Sequence, residues 1–243
     1  MNDTHNKMEA HHLPAEEKVL LTHNLLNEVY KRLTLESRRT PMHEFISTML
    51  SHRTNHADEE KAYRTMLERF GDWEGIMVAP IEELTDAIMT TRYPEQKAVQ
   101  IQQVLQIIKA ERGEINIDFL KEMPVDEAME WLTKLPGVGL KTATLLLLFN
   151  FKKPVLPVDT HVFRVSQRVG IIGARVNANK AHQILLAMLP KDPVELFNFH
   201  KHLFWHGQRI CTWYTPKCEK CVLNSFCNYY QDVREKDIDK KAA

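Results

Sequence analysis

The sequence predicts an all-α protein. Apolar residues recur at helical spacing along most of its length, alternating runs of strand type are scarce, and Pro and Gly punctuate the helical stretches at short intervals.

Residues 1–14, polar and His-rich, are expected to form a loose tail. From Ala15 a helical pattern sets in, with Leu25, Val29 and Leu33 at i, i+4 and i+8 and Leu26 on the flank. Glu36 to Thr40, closed by Pro41, reads as a linker. Phe45, Ile46, Met49 and Leu50 then share one helical face, and Ala62, Met66 and Phe70 mark another. Gly71, Gly75 and Pro80 predict turns, Ile81 to Ile88 a short helix, and Ala98, Ile101, Leu105 and Ile108 a longer one ending at Gly113. Ala128, Trp131, Leu132 and Leu135 form the stripe of a helix that runs into a glycine hairpin, and Thr142 to Phe149 is apolar enough for burial on most sides. Ala181, Ile184, Leu185 and Met188 repeat the helical face, and residues 231–243 are expected as a charged, disordered tail.

With 243 residues, 44% of them hydrophobic, the chain can build one large or two small cores. Lys plus Arg and Asp plus Glu both number 32, so the net charge is zero. That excludes coating nucleic acid by bulk charge and leaves only a local basic face for any phosphate contact. No apolar run approaches the roughly 20 residues of a membrane span, and the start lacks a signal-peptide layout, so the expected place is the cytoplasm.

The segment Leu135-Pro136-Gly137-Val138-Gly139 can turn sharply and present backbone N–H groups just before a helix N-terminus. An anion such as a DNA phosphate suits that position, and so does a plain corner between two helices. Lys141 follows on the first turn. A cation there opposes the helix dipole, which weakens the hold on its proton and gives a reason for nucleophilic reactivity. Further on, Asp159 in Val-Asp-Thr-His suits a carboxylate that stabilises positive charge and accepts a proton, or one that caps a helix starting at Thr160. The four cysteines, Cys211, Cys218, Cys221 and Cys227, are spaced C-x6-C-x2-C-x5-C, and four thiolates can hold zinc or a [4Fe–4S] cluster.

Leu-Pro-Gly-Val-Gly-x-Lys-Thr-Ala followed by Val-Asp-Thr-His-Val-x-Arg resembles the helix-hairpin-helix DNA glycosylase superfamily, in its endonuclease III branch. The resemblance runs in motif order from Pro41 to Cys227. It implies a bifunctional glycosylase and abasic-site lyase of base-excision repair acting on oxidised pyrimidines. Lys141 would attack the sugar C1′, expel the base and leave an imine that permits β-elimination, with Asp159 assisting. The cysteine spacing is similar to the family's iron–sulfur loop, which implies a [4Fe–4S] cofactor, with Lys217 and Lys220 beside the ligands against DNA phosphate.

Carried over, the architecture is two helical domains with a DNA cleft between them. Residues 42–153 would form a barrel, and residues 15–41 with 154–230 the cluster domain. The expected partner is duplex DNA carrying a damaged base or abasic site, bound by a monomer associated with the nucleoid.

The chain departs from the family pattern at Arg53, where a glutamine usually fills the gap left by the flipped base, at His56 in place of an aspartate, and at Arg92 to Glu95. Arginine can fill space and donate hydrogen bonds, so Arg53 is the expected gap-filling DNA contact. The rival readings are a non-catalytic DNA-binding iron–sulfur scaffold and a glycosylase for uracil or a mispaired pyrimidine. His200, His202 and His206 are expected as surface or cap residues, and His161 as a residue that orders the loop around Asp159.

Overall fold

A computed structural model describes residues 13–233, and every regular element among them is helical. The tail expectations for residues 1–12 and 234–243 lie outside the described residues. The chain divides into two compact units, one of residues 36–153, the other of the preceding chain together with residues from Pro154 onward.

In the first unit, α2 (Pro41–Leu50), α3 (His56–Phe70), α4 (Trp73–Val78), α5 (Ile81–Ala87), α6 (Pro94–Arg112), α7 (Val125–Lys134) and α8 (Leu140–Phe149) follow in order. Four of these starts have a local cause in a capping side chain or a first-turn proline. Asn55 and Asp72 accept the N–H of Asp58 and Gly75, while Pro41 and Pro94 occupy first-turn positions where no donor is needed. Gly71 and Gly113 end α3 and α6 with φ of 82° and 78°. Gly75, expected in a turn, lies inside α4, because the Asp72 cap starts a helix there.

α2 packs on α3, α6 and α8. Its Phe45, Ile46 and Leu50 are fully buried with Ile101 and Leu105 of α6, each stabilising by about 1.5–3 kcal/mol on burial. This packing sets the end of α2 and the starts of α6 and α8 in one unit, and all three carry pocket residues.

The second unit contains α1 (Ala15–Tyr30), α9 (Thr160–Val169), α10 (Ala178–Ala187) and α11 (Pro193–Arg209), then short 3-10 turns at Cys218–Lys220 and Asn224–Phe226. Residues 231–233, expected in the tail, continue a helical turn begun at residue 228. α11 packs against α9 and α1. The stripe expected on α1 is not the buried one. Val19 and Leu26 are buried beside Lys18, Thr22 and His23, whereas Val29 is 47% exposed and Leu33 lies beyond the helix. Lys18 and His23 occupy that face because each finds a partner in a distant segment. The Lys18 amine donates to Val169 O at 3.1 Å and Asn228 Oδ1 at 2.5 Å, and His23 pairs with Glu195 at 2.8 Å.

The histidines of α11 correct a second expectation. His200, His202 and His206 are all buried rather than at the surface. His200 Nδ1 meets Pro157 O at 3.0 Å and His202 Nε2 meets Lys31 O at 3.0 Å, so a backbone carbonyl outside the helix takes one nitrogen of each ring. Among the described residues, no helix is long and apolar enough to cross a membrane.

Candidate active site

The sequence from Leu132 to Leu140 breaks the helix twice, and the structure shows how. Leu135 N–H donates to Leu132 O and Val138 N–H to Leu135 O, each at 3.1 Å, while Gly137 takes φ of 75°. A side chain at Gly137 would be strained by that angle and would collide with Gln100 of α6. Leu135 and Val138 pack the hairpin against the core. Their side chains are core, at 4% and 6% exposure, and their N–H groups are spent inside the hairpin. The exposed positions are Gly137 and Gly139, the latter being the N-cap of α8.

Lys141, half-buried on the first turn of α8, lines a pocket of about 580 Å³ with His52, Arg53, Tyr93, Lys97 and Gln100. The pocket wall thus draws on the turn after α2, the start of α6 and the start of α8. His52 Nε2 lies 3.0 Å from the Thr142 hydroxyl. Burial, with the nearby Lys141 and Lys97 cations, pushes the His52 imidazole down to about 4, so it is neutral at working pH. Burial also pushes the Lys97 amine down to about 8. The side chain of Arg53 is exposed, and its guanidinium donates to the Tyr93 hydroxyl at 3.2 Å. His56, at the other departure, is an exposed first-turn residue of α3 that pairs with Glu59 at 3.1 Å.

Sequence reasoning singled out Arg53, Lys141 and the stretch from Arg92 to Glu95 that contains Tyr93, but missed His52 and Gln100 as pocket residues. A signal for Lys97 existed: it shares the buried stripe of α6 with Ile101 and Leu105, where an unpaired charge would be costly.

In the second unit Asp159 is the N-cap of α9, and its Oδ1 accepts the N–H groups of His161 and Val162 at 2.8 Å each. Oδ2 is not used by that cap. The His161 ring meets Arg164 at 3.1 Å and the edge of Phe204. Arg164, the last residue of the Val-Asp-Thr-His-Val-x-Arg motif, donates from Nε to Cys211 O at 3.0 Å and from its terminal nitrogen to Gly207 O at 2.8 Å. One turn on, Arg168 donates to Thr212 O at 2.6 Å and approaches Cys211 Sγ at 3.4 Å.

Cys211, Cys218, Cys221 and Cys227 are free thiols that line one cavity with Arg168 and His206. Burial pushes the Cys221 thiol up to about 12 and Cys227 up to about 11. Such thiols become ligands only where a metal centre supplies positive charge. Four soft donors on one cavity fit a thiolate-bound metal group. Lys217 and Lys220 stand exposed at the rim of the same segment.

Residues 46–191 match the model of the HhH-GPD superfamily of base excision DNA repair proteins. The chain belongs to that superfamily. Within it, the relatives place the chain in the endonuclease III-like branch. Endonuclease III of Thermotoga maritima is 35% identical over 208 residues, which span 85% of this chain and 92% of the relative. Endonuclease III of Bacillus subtilis is 29% identical over 201 residues, 83% of this chain and 87% of the relative.

The fold agrees. A solved structure of a trapped endonuclease III–DNA covalent intermediate superposes with a TM-score of 0.77 at 24% identity, covering 90% of this chain and 98% of that one. A thermostable thymine-DNA glycosylase superposes with a TM-score of 0.71 at 22% identity, over 95% of this chain and 100% of the other. The architecture is thus the two-domain, all-helical fold of the helix-hairpin-helix glycosylases.

Proposed function

We propose that this protein is a bifunctional DNA glycosylase and abasic-site lyase that removes oxidised pyrimidines from duplex DNA, with Lys141 as its nucleophile. The observation that carries the reading is the position of Lys141. It sits on the first turn of α8, directly after the Gly137 hairpin, in a pocket otherwise lined by neutral or donor groups. A base stacked in duplex DNA is out of reach of such a pocket, so the nucleotide must be turned out of the helix, at about a few kcal/mol. The exposed hairpin glycines and the N-terminal turn of α8 suit a backbone phosphate beside the lesion.

Lys141 attacks C1′ through its neutral amine. The C1′–N bond breaks as the C1′–Nζ bond forms, and the base departs with the bonding electrons and takes up a proton from water. The nitrogen gives up a proton and then expels O4′, which is protonated as the sugar ring opens to leave the imine. Asp159 accepts the proton from the nitrogen and offsets the positive charge that builds on the sugar. Loss of a C2′ proton from the imine then expels the 3′ phosphate. The related endonuclease III was captured as a covalent DNA intermediate, which is the species this chemistry requires.

The test is reduction by borohydride on duplexes carrying thymine glycol, uracil or a preformed abasic site. Wild-type protein should form a stable DNA adduct on thymine glycol and the abasic site, and Lys141→Ala should form none. No adduct on any duplex with folded, metal-loaded protein sinks the reading, and base loss without an adduct assigns a simple glycosylase.

Cys211, Cys218, Cys221 and Cys227 would hold a [4Fe–4S] cluster, whose part is to staple a segment with little regular structure. The spacing of the sulfurs supports a cluster over a single zinc. Tetrahedral zinc with Zn–S of 2.3 Å needs sulfurs about 3.8 Å apart. Among the described residues, the three-ligand grouping within 4.8 Å is His56, Glu59 and Glu60, not the cysteines. Iron content and broad visible absorbance of the purified protein decide between the two.

A further inference from the structure

Two residues at the pocket, Arg53 and Tyr93, have left-handed φ angles of 55° and 58°, and neither is glycine. Side chains rarely adopt that conformation, and it persists only where the surroundings hold it. The restraint on Arg53 can be traced bond by bond. The Lys97 amine, on a side chain 5% exposed, donates to Leu50 O at 2.5 Å, His52 O at 2.9 Å and Thr54 Oγ1 at 3.1 Å. These acceptors lie on both sides of Arg53, so the lysine clamps the turn that carries it. The Thr54 hydroxyl also accepts the Arg92 N–H at 3.1 Å, which ties the same turn to the segment leading into Tyr93. An ammonium carries three N–H groups and no acceptor. All three are matched here, so Lys97 lines the pocket without a donor left for a nucleotide.

We propose that Lys97 is a positioning residue for base removal: it holds the 51–54 turn so that Arg53 stands beside the Lys141 pocket, and its effect on the reaction passes through Arg53. The proposal rests on the reading that this pocket takes the extruded nucleotide. It differs from that reading in assigning Lys97 no contact with DNA.

The test is a double-mutant cycle in single-turnover excision of thymine glycol, using wild type, Lys97→Met, Arg53→Ala and the double variant, all metal-loaded. Lys97→Met should slow excision by roughly tenfold or more while changing the affinity for the lesion duplex less. In the Arg53→Ala background the same substitution should cost less than about twofold, since two residues acting as a unit are not additive. Borohydride trapping on a preformed abasic site, where no base must leave, should fall no more than a few-fold.

Multiplying effects of the two substitutions, or an unchanged rate in Lys97→Met, would overturn the proposal. If Lys97→Met loses its helical circular dichroism, Thr54→Val takes its place in the cycle. It removes one acceptor and leaves Lys97 in the core, and its smaller effect should likewise vanish beside Arg53→Ala. Wild-type protein that traps no DNA would instead remove the functional reading beneath.

Discussion

His52 Nε2 lies 3.0 Å from the hydroxyl of Thr142, the residue that follows Lys141. The turn after α2 is thereby joined to the first turn of α8, and the two residues singled out in the sequence, Arg53 and Lys141, are each one position away from this bond. Thr142 is 1% exposed, so its hydroxyl has no access to solvent as an alternative partner.

Thr142→Val keeps the shape of the side chain and removes the hydroxyl. A part-buried imidazole nitrogen is left without its partner, at a cost of about 1 kcal/mol. Urea unfolding should show that loss as a lower midpoint at an unchanged slope. Single-turnover excision should slow as well, because the turn bearing Arg53 loses one of its attachments.

Acid should destabilise the protein in a defined window. Burial lowers His52 and His202 to about 4 in the folded state, against an ordinary value of 6.5. Between those values the unfolded chain binds protons that the folded chain refuses, so stability is full above about pH 6.5 and falls as the pH drops toward 4. The melting temperature, measured from pH 7.5 to 4.5, should decline most steeply below pH 6.5. His52→Asn and His202→Asn should each flatten the decline, even where they lower the melting temperature at pH 7.5. A flat profile in the wild type would contradict the burial of both rings.

Much of the fold was legible because apolar spacing reports the buried face wherever that face is apolar. Phe45, Ile46, Met49 and Leu50 on α2, and Ala98, Ile101, Leu105 and Ile108 on α6, are all buried as the pattern predicts. The pattern failed where polar residues are buried with partners distant in sequence. Lys18 reaches Val169 and Asn228, and Asn198 exchanges hydrogen bonds with the backbone of Leu33, so neither α1 nor α11 shows its true inner face in the spacing.

The site divides in the same way. Lys141, Asp159 and the cysteines, the residues proposed for the chemistry, stand in local motifs that are read directly from their spacing. Lys97 and His52 owe their roles to partners brought together only by folding, and no short stretch of sequence contains both halves of those contacts.

Gly137→Ala should weaken the hairpin without touching the nucleophile. The methyl group meets Gln100, and φ of 75° is strained for alanine, so about 1–2 kcal/mol of stability should be lost. Affinity for duplex containing a stable abasic-site analogue should fall, measured by fluorescence anisotropy at fixed salt. Trapping on an abasic site at saturating protein should be retained, since Lys141 itself is unchanged. Loss of trapping with full affinity would place Gly137 in the chemistry and not in the phosphate contact.

Arg164 and Arg168, one turn apart on α9, hold the chain on either side of Cys211. Arg164 spends its fork on Cys211 O and Gly207 O at 2.8–3.0 Å, and Arg168 takes Thr212 O at 2.6 Å and Trp213 O at 2.7 Å. A guanidinium can bridge two carbonyls at a fixed angle, whereas an ammonium is a single point on a flexible stem. Arg164→Lys should therefore behave nearly as Arg164→Met, each losing about 2–4 kcal/mol, because the buried carbonyl of Gly207 and the part-buried carbonyl of Cys211 lose charged donors. Arg168→Lys, whose carbonyl partners lie closer to solvent, should cost less. The measurement is the rate at which a chelator removes iron, followed by visible absorbance. Both Arg164 variants should bleach several-fold faster than wild type, with Arg168→Lys in between. Equal rates in all four proteins would mean that Cys211 is held by its neighbours along the chain and not by α9.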